Sequence, residues 1–154
     1  MTIFLTAEEV LRIQDKIAPT AALVDRGAIE AAVMRPQTTV GGEDAYPTIH
    51  DKAAAFWISL DHAQAFQDGS KRTAYHCTNM FYALNAYVLT LTDDELYEVA
   101  MRVARHEVDV TELAEFLNSV AQPVPPLREL ADGIAGSEII SLPTEPRRTP
   151  AGEQ

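Results

Sequence analysis

Apolar residues along the first 120 positions of this chain recur at the spacing of α-helices. The clearest case follows Thr48, where they stand at i, i+4, i+7, i+8 and i+11 and form one helix face: Ile49, Ala53, Phe56, Trp57 and Leu60. Several such stretches begin with a hydroxyl or carboxylate residue and an acidic residue three positions later, which is typical of a capped helix start. The pairs with this spacing are Thr6 and Glu9, Thr48 and Asp51, Thr92 and Glu95, and Asp109 and Glu112.

These patterns predict an all-α fold. Further helices are predicted from Ser70 onward and over positions 27–34, the second of them ending before Pro36. No run of alternating polar and apolar residues is long enough to predict a true sheet. Positions 37–47, which include Gly41 and Gly42, predict a small hairpin or flap.

Prolines interrupt the chain after about position 118. With 154 residues the chain is long enough for one domain, which we expect at 1–120. We expect a Pro-rich extension at 121–142, whose apolar residues either dock on the core or bind a partner. The last part, 143–154, has too little apolar content to offset the entropy of ordering and is predicted to be a disordered tail.

Charge and cysteine content narrow the functional classes. The net charge of −11 and the pI of about 4.6 argue against nucleic-acid binding, which needs an excess of Lys and Arg. The acidic surface suits solubility or a basic partner segment. The single cysteine, Cys77, fits a reducing compartment, and its apolar surroundings indicate a buried structural thiol. Without a signal-peptide pattern or a long apolar run, we expect a cytoplasmic protein with no membrane contact.

One short stretch, positions 68–72, carries candidate chemistry. Gly69 and the free N–H groups of a helix start suit a phosphate, and Ser70 can act as helix cap and phosphate contact. Lys71 and Arg72 add positive charge, and the Asp68 carboxylate suits Mg²⁺. The alternative is an ordinary loop-to-helix junction with a solvated run of charge. The spacing alone leaves both interpretations open.

The wider stretch from Gln64 to Ala74 resembles the Fic/Doc family signature H-x-F-x-[D/E]-G-N-x-R, in the form that ends K-R-T-A. The resemblance extends over roughly positions 3–118. It includes segments that resemble the first two helices of the family, the lead into the third, and the end of the central helix: 5–13, 25–32, 41–48, 52–55 and 84–87. It implies a Fic/Doc-like helical bundle with a small hairpin flap.

The resemblance also implies an activity and a set of roles. Family members transfer a phosphoryl or nucleotidyl group from ATP or another nucleoside triphosphate, with Mg²⁺, to a protein Ser/Thr hydroxyl. A translation elongation factor is the implied target and a Phd-like antitoxin the implied partner. By correspondence Asp68 is the metal ligand and a catalytic residue, and Arg72 is catalytic and contacts phosphate. The other phosphate contacts are Gly69, Ser70 and Lys71, and the flap that aligns the target is Thr38, Thr39, Val40 and Gly41.

Two residues depart from the signature. Gln64 stands where the family has its catalytic histidine, and Ser70 stands where it has asparagine. An amide has no useful basicity near neutral pH, so Gln64 cannot act as the general base. The alternative function is therefore an inactive module that binds nucleotide or an antitoxin-like partner without turnover.

Two nearby histidines, His62 and His76, are candidates for a substitute base. His62 lies two residues before Gln64, and that spacing turns its side chain elsewhere. His76 lies farther along the predicted central helix, where it either faces the site or packs or meets solvent, and the second interpretation is favoured. The inhibitory-helix pattern of some Fic proteins, [S/T]-x-x-x-E-[G/N], has no good match. Regulation by a partner is therefore favoured over inhibition by a segment of this chain.

Overall fold

The computed structural model describes residues 1–23, 25–66 and 69–125. Val24, Gln67 and Asp68 lie outside the described residues, as do the predicted extension beyond 125 and the predicted tail at 143–154. The fold is that of these described residues.

Helices dominate this part, as predicted. They are α1 (Ala7–Ile17), α2 (Arg26–Met34), α3 (Ile49–His62), α4 (Ser70–Leu84), α5 (Asp93–Ala104) and α6 (Val110–Val120). The short elements are a 3₁₀ turn (Arg35–Gln37) and four strands, β1 (Thr39–Val40), β2 (Glu43–Asp44), β3 (Tyr87–Leu89) and β4 (Ala121–Pro123). The all-α prediction is confirmed.

The predicted capping residues begin four of these helices. The Thr6 side chain accepts a hydrogen bond from the Glu9 amide, and reciprocal capping boxes join Thr48 to Asp51, Thr92 to Glu95 and Asp109 to Glu112. Each box satisfies backbone N–H groups that the first helical turn leaves unpaired. The caps fix where each chain segment enters the bundle.

The start of α4 differs from the prediction. Ser70 was expected to cap this helix, but it is the first helical residue, and the cap is Gly69 in the left-handed conformation with φ +82°. A serine cap needs extended backbone at its own position, whereas the turn that enters α4 is left-handed and favours glycine.

Helix α3 lies at the centre and packs mainly against α4 and α6. Every residue from position 52 to 58 is buried, including Phe56 and Trp57 at 2% and 1% exposure. The sequence predicted one apolar face, but neighbours on several sides bury the helix nearly all round. The alanines at 53–55 suit this position because small side chains let neighbouring helices approach.

The two small sheets have different origins. Strands β1 and β2 form the predicted hairpin, closed by Gly41 and Gly42 with φ of +62° and +83°. Two consecutive positive φ angles suit a two-residue hairpin turn, and glycine adopts them without strain. Strands β3 and β4 pair antiparallel, with Tyr87 opposite Pro123, and this pairing was not predicted.

Cys77 is a buried residue of the core, as the sequence predicted. Cys77 is fully buried, and burial raises the pKa of its thiol to about 12, so it is a packed side chain rather than a nucleophile. Within the described residues, every helix is too short or too polar to cross a membrane.

Candidate functional site

The candidate site begins where α3 ends. Ala63 follows the helix, and Gln64 is exposed with φ +46°, an uncommon backbone conformation for a residue other than glycine. The next two residues, Ala65 and Phe66, are buried. Buried anchors directly after Gln64 turn the chain so that the glutamine lies at the surface.

The same loop is fixed to the segment that precedes α2. The Asp25 amide donates a hydrogen bond of 3.2 Å to the Ala65 carbonyl oxygen, and Leu23 forms an antiparallel bridge with Phe66. These contacts hold the approach to α4 against a second chain segment. The loop is therefore constrained by packing and by backbone pairing rather than by its own sequence alone.

Asp68, the predicted metal ligand and catalytic carboxylate, lies outside the described residues, and so does Gln67. Within the described ranges, no group of three or more His, Cys, Asp or Glu side chains is arranged to hold a metal ion. The assignment of Asp68 to Mg²⁺ thus stays a prediction.

Gly69 lies directly against α1. A Cβ atom at this position would stand 3.2 Å from the Ala18 Cβ and 3.4 Å from the Gln14 Nε2. Contacts of 3.0–3.4 Å are tighter than nine in ten Cβ contacts, so a neighbouring atom would have to shift by a few tenths of an ångström to admit a side chain here. Glycine is required here both by the backbone angle and by the close approach.

The side chain of Gln14 on α1 packs against this turn. It is 4% exposed, and the Thr73 hydroxyl on α4 donates a hydrogen bond to its Oε1. The Thr73 amide in turn donates 2.8 Å to the Gly69 carbonyl oxygen and closes the first turn of α4. A buried polar pair between α1 and α4 therefore sets the orientation of the helix start.

The two cationic residues in the first turn of α4 are exposed to solvent. Lys71 and Arg72 are exposed, and they line a groove between α4 and α5 together with Tyr75, Asp93, Leu96, Tyr97, Ala100 and Met101. The groove has a volume of about 290 Å³ and is mostly apolar. An apolar cleft with two cations at one end suits a ligand with an anionic group and a flat apolar body.

A buried carboxyl group, Asp61 near the end of α3, interacts electrostatically with Lys71 in the first turn of α4. Burial raises the pKa of the Asp61 carboxyl, while the charges of His62, Lys71 and His106 lower it by a smaller amount. The His62 and His106 rings stack with centroids 3.7 Å apart. Lys71 therefore lies within the field of a buried carboxylate on the neighbouring helix.

The Asp61 environment makes a prediction about stability. The pKa of Asp61 is raised in the folded state, so the fold favours the protonated carboxyl over the ionised one. Protonated Asp61 therefore adds to the free energy of unfolding at low pH, and this contribution is lost as pH rises through the pKa of the folded state. We expect Asp61→Asn to stabilise the protein near pH 7.5 and to do so less near pH 4. Urea unfolding of both proteins at the two pH values measures this. A stability difference that is constant with pH would contradict the assignment.

The two histidines weighed as substitute bases face other elements. The His62 Nε2 is 2.8 Å from the Val103 carbonyl oxygen at the end of α5, so this nitrogen acts as a donor there. His76 is exposed and lines a groove between α1 and α4 with Ile13 and Met80. Lys71 and Arg72 line the other groove, towards α5, so His76 faces a different side of α4.

One contact links Arg35, which precedes the flap, to the end of α3 that leads into Gln64. The Arg35 Nη1 donates 2.9 Å to the Ser59 Oγ, and the Ser59 carbonyl accepts the Ala63 amide one residue before Gln64. The flap residues Thr38, Thr39, Val40 and Gly41 are all exposed. Arg35 therefore links the start of the predicted target-binding hairpin to the last turn of α3, next to the predicted catalytic position, while the other limb of the hairpin leads into the start of α3.

Three features of the site were not predicted: the buried Gln14, the positive φ of Gln64, and the burial of Lys52 beside the flap. The sequence did carry a signal for two of them. Gln14 and Lys52 are polar residues that interrupt otherwise apolar helical faces, and a polar residue in such a face has to find a buried partner. Nothing in the local sequence indicates the backbone angle of Gln64.

Comparison with known proteins gives the family. The Fic/DOC family model matches residues 4–82, a span that includes the flap, α3 and most of α4. A protein of Mycolicibacterium smegmatis named Toxin Doc is 40% identical over 124 residues, which cover 75% of this chain and 95% of that protein. The chain belongs to the Fic/DOC family, and the resemblance predicted from the signature is confirmed.

Proposed function

We propose that this protein is a toxin-type transferase that moves a phosphoryl or nucleotidyl group from a nucleoside triphosphate to a protein Ser/Thr hydroxyl. The observation that carries the proposal is the start of α4: a helix capped by Gly69, with Lys71 and Arg72 at the end of an apolar groove. The family membership and the relative named Toxin Doc support the same reaction class.

The phosphates would lie at the start of α4. The capping residue of α4, Gly69, has no side chain, whereas a side chain caps each of the other five α-helices of the described part. The first-turn amides of α4 and the helix dipole favour an anion. Ser70 adds a hydroxyl, Lys71 a point charge, and Arg72 two parallel donors for one phosphate.

The rest of the nucleotide would occupy the groove between α4 and α5. Tyr75 and Tyr97 offer aromatic surface, and Leu96 and Met101 offer aliphatic surface, which together suit a purine base. Mg²⁺, held by Asp68, would neutralise phosphate charge when bound. The fixed residues bind and orient the donor, and such positioning is a large part of catalysis in phosphoryl transfer.

The flap would hold the target. Val40 is 71% exposed, and β1 pairs with β2 along one edge only within the described chain. An extended target segment can add to the other edge by backbone hydrogen bonds. We propose a translation elongation factor as target, a Phd-like antitoxin as the neutralising partner, and the cytoplasm as the location.

Gln64 supports a second candidate. With no base at this position, the protein would act as a module that binds nucleotide or an antitoxin-like partner without turnover. Incubation with γ-labelled or α-labelled ATP and a cell lysate separates the two functions and identifies the transferred group. Label in a protein band supports the transferase, while bound nucleotide without label supports the module.

The phosphate contacts make a prediction about binding. We expect Arg72→Ala to weaken ATP–Mg²⁺ binding about fivefold more than Lys71→Ala, because Arg can donate two parallel hydrogen bonds to one phosphate. Calorimetry with the two variants measures the difference. Arg12→Ala, which removes an exposed arginine from α1, is the control and should bind as the wild type does. If the wild type shows no detectable binding, the proposal of a nucleotide site is wrong.

A further inference from the structure

The flap contributes little to the core. Every residue from 38 to 45 is exposed, so packing of flap side chains cannot fix its orientation. Its internal contacts include the β1–β2 pairing and a hydrogen bond of 2.8 Å from the Ala45 amide to the Thr38 carbonyl oxygen. An exposed two-stranded hairpin of this length is at best marginally stable alone, so contacts at its base have to hold it.

Lys52 supplies one such contact. Its side chain is only 7% exposed, and the Nζ atom donates to three acceptors, one in strand β2 of the flap and two in the segment that leads from the flap into α3. They are the Asp44 Oδ2 at 3.1 Å, the Pro47 carbonyl oxygen at 3.3 Å, and the Tyr46 carbonyl oxygen. A buried ammonium is stable only when such partners compensate for its lost hydration. The ammonium therefore ties the returning limb of the flap to α3.

Arg35 supplies the other contact. Its Nε donates 3.1 Å to the Tyr46 hydroxyl, and its guanidinium lies 5.8 Å from the centroid of the same ring. Its carbonyl oxygen accepts both the amide and the hydroxyl of Thr38, at 3.1 and 2.7 Å. Through its bond to Ser59, Arg35 thus joins both limbs of the flap to α3.

We propose that Lys52 and Arg35 are positioning residues that clamp the base of the flap to α3. The clamp holds the flap in one orientation before any target arrives. Lys52 acts in the first turn of α3, and Arg35 acts through Ser59 in the last turn, which leads into Gln64. The consequence for a target rests on the proposed function: a pre-formed edge strand is presented to the target segment without the entropic cost of ordering the flap. The clamp itself is a property of the fold and can be tested without any target.

The test is native-state amide exchange measured by NMR. The reporter is the Ala45 amide within the flap, and the reference is the Leu117 amide in the fully buried part of α6. Lys52→Met keeps the apolar stem and removes the ammonium. We expect Ala45 exchange to accelerate by about tenfold or more, with Leu117 exchange unchanged, because loss of the clamp opens the flap locally.

Lys16→Met is the matched control, since it makes the same change at an exposed site on α1 and should leave Ala45 exchange as in the wild type. Equal acceleration at Ala45 and Leu117 would overturn the proposal, because Lys52 would then stabilise the whole domain. Unchanged Ala45 exchange would overturn it as well.

Tyr46→Phe provides an independent variant in case Lys52→Met does not fold. It removes only the hydroxyl that accepts from Arg35 and leaves the ring in place. We expect Ala45 exchange to rise about threefold to fivefold without change at Leu117. No difference from the wild type would refute the Arg35 half of the clamp.

An activity assay tests the clamp and the proposed function separately. In a Gln64→His background, adding Lys52→Met should leave ATP–Mg²⁺ affinity unchanged but lower the labelling of lysate protein and the arrest of growth on expression. If Gln64→His alone gives no labelling, the proposed transfer is wrong, while the exchange data still decide the clamp. Lower nucleotide affinity in the double variant would contradict a role confined to the flap.

Discussion

Replacing Gln64 by histidine is expected to raise transferase activity by at least about tenfold, because a general base typically contributes about 10²- to 10⁴-fold. The residue is exposed at the end of α3, and imidazole titrates near neutral pH whereas an amide does not. Activity of the variant should increase as pH rises through about 6.5, where imidazole loses its proton. Labelling with radioactive ATP across pH 5.5 to 8 measures both effects.

A matched control separates the base from the backbone. Gln64 has φ +46°, and both His and Asn tolerate this left-handed region better than most residues do. Gln64→Asn should therefore relieve backbone strain as much as Gln64→His does, but it adds no base. Equal activation by His and Asn would trace the effect to the backbone. A folded Gln64→His protein that neither labels a target nor slows growth would show that the missing base does not limit this chain.

Local sequence predicted the elements whose signals are local. A capping box needs only two side chains three positions apart, so helix starts such as those at Thr48 and Thr92 could be predicted from the sequence. The flap turn was predictable for the same reason, since two consecutive glycines suit its positive φ angles. The signature also predicted the family, which the comparisons then confirmed.

Features set by tertiary contacts were not predictable. The assignment of Ser70 as cap was wrong because the turn that enters α4 is left-handed at Gly69, which packs closely against Gln14 of α1 and against Ala18 directly after it. The pairing of β3 with β4 joins segments on either side of α5 and α6, and three-residue strands are too short to show alternation. Lys52 was visible as a charge in an apolar helix, but its acceptors lie in the flap segment.

Replacing Gly69 by alanine is expected to disturb the fold and the site together. At φ +82° a side chain costs roughly 1–2 kcal/mol of stability. The added Cβ would also stand 3.2 Å from the Ala18 Cβ and 3.4 Å from the Gln14 Nε2, and we expect the turn to shift by a few tenths of an ångström to relieve these contacts. Because the first-turn amides of α4 move with it, ATP–Mg²⁺ affinity should fall by about tenfold or more, which corresponds to about 1.4 kcal/mol.

Gly27→Ala is the matched control for this prediction. Gly27 lies in the first turn of α2, has no positive φ, and a Cβ there would meet only the Asp25 Oδ1 at 3.4 Å. Alanine should therefore raise stability by up to about 1 kcal/mol, because it is the better helix former, and should leave nucleotide affinity unchanged. Urea unfolding and calorimetry on both variants separate the outcomes. If Gly69→Ala loses stability but binds ATP–Mg²⁺ as the wild type does, the turn at Gly69 does not hold the phosphates, and the anion site has to lie elsewhere on the domain.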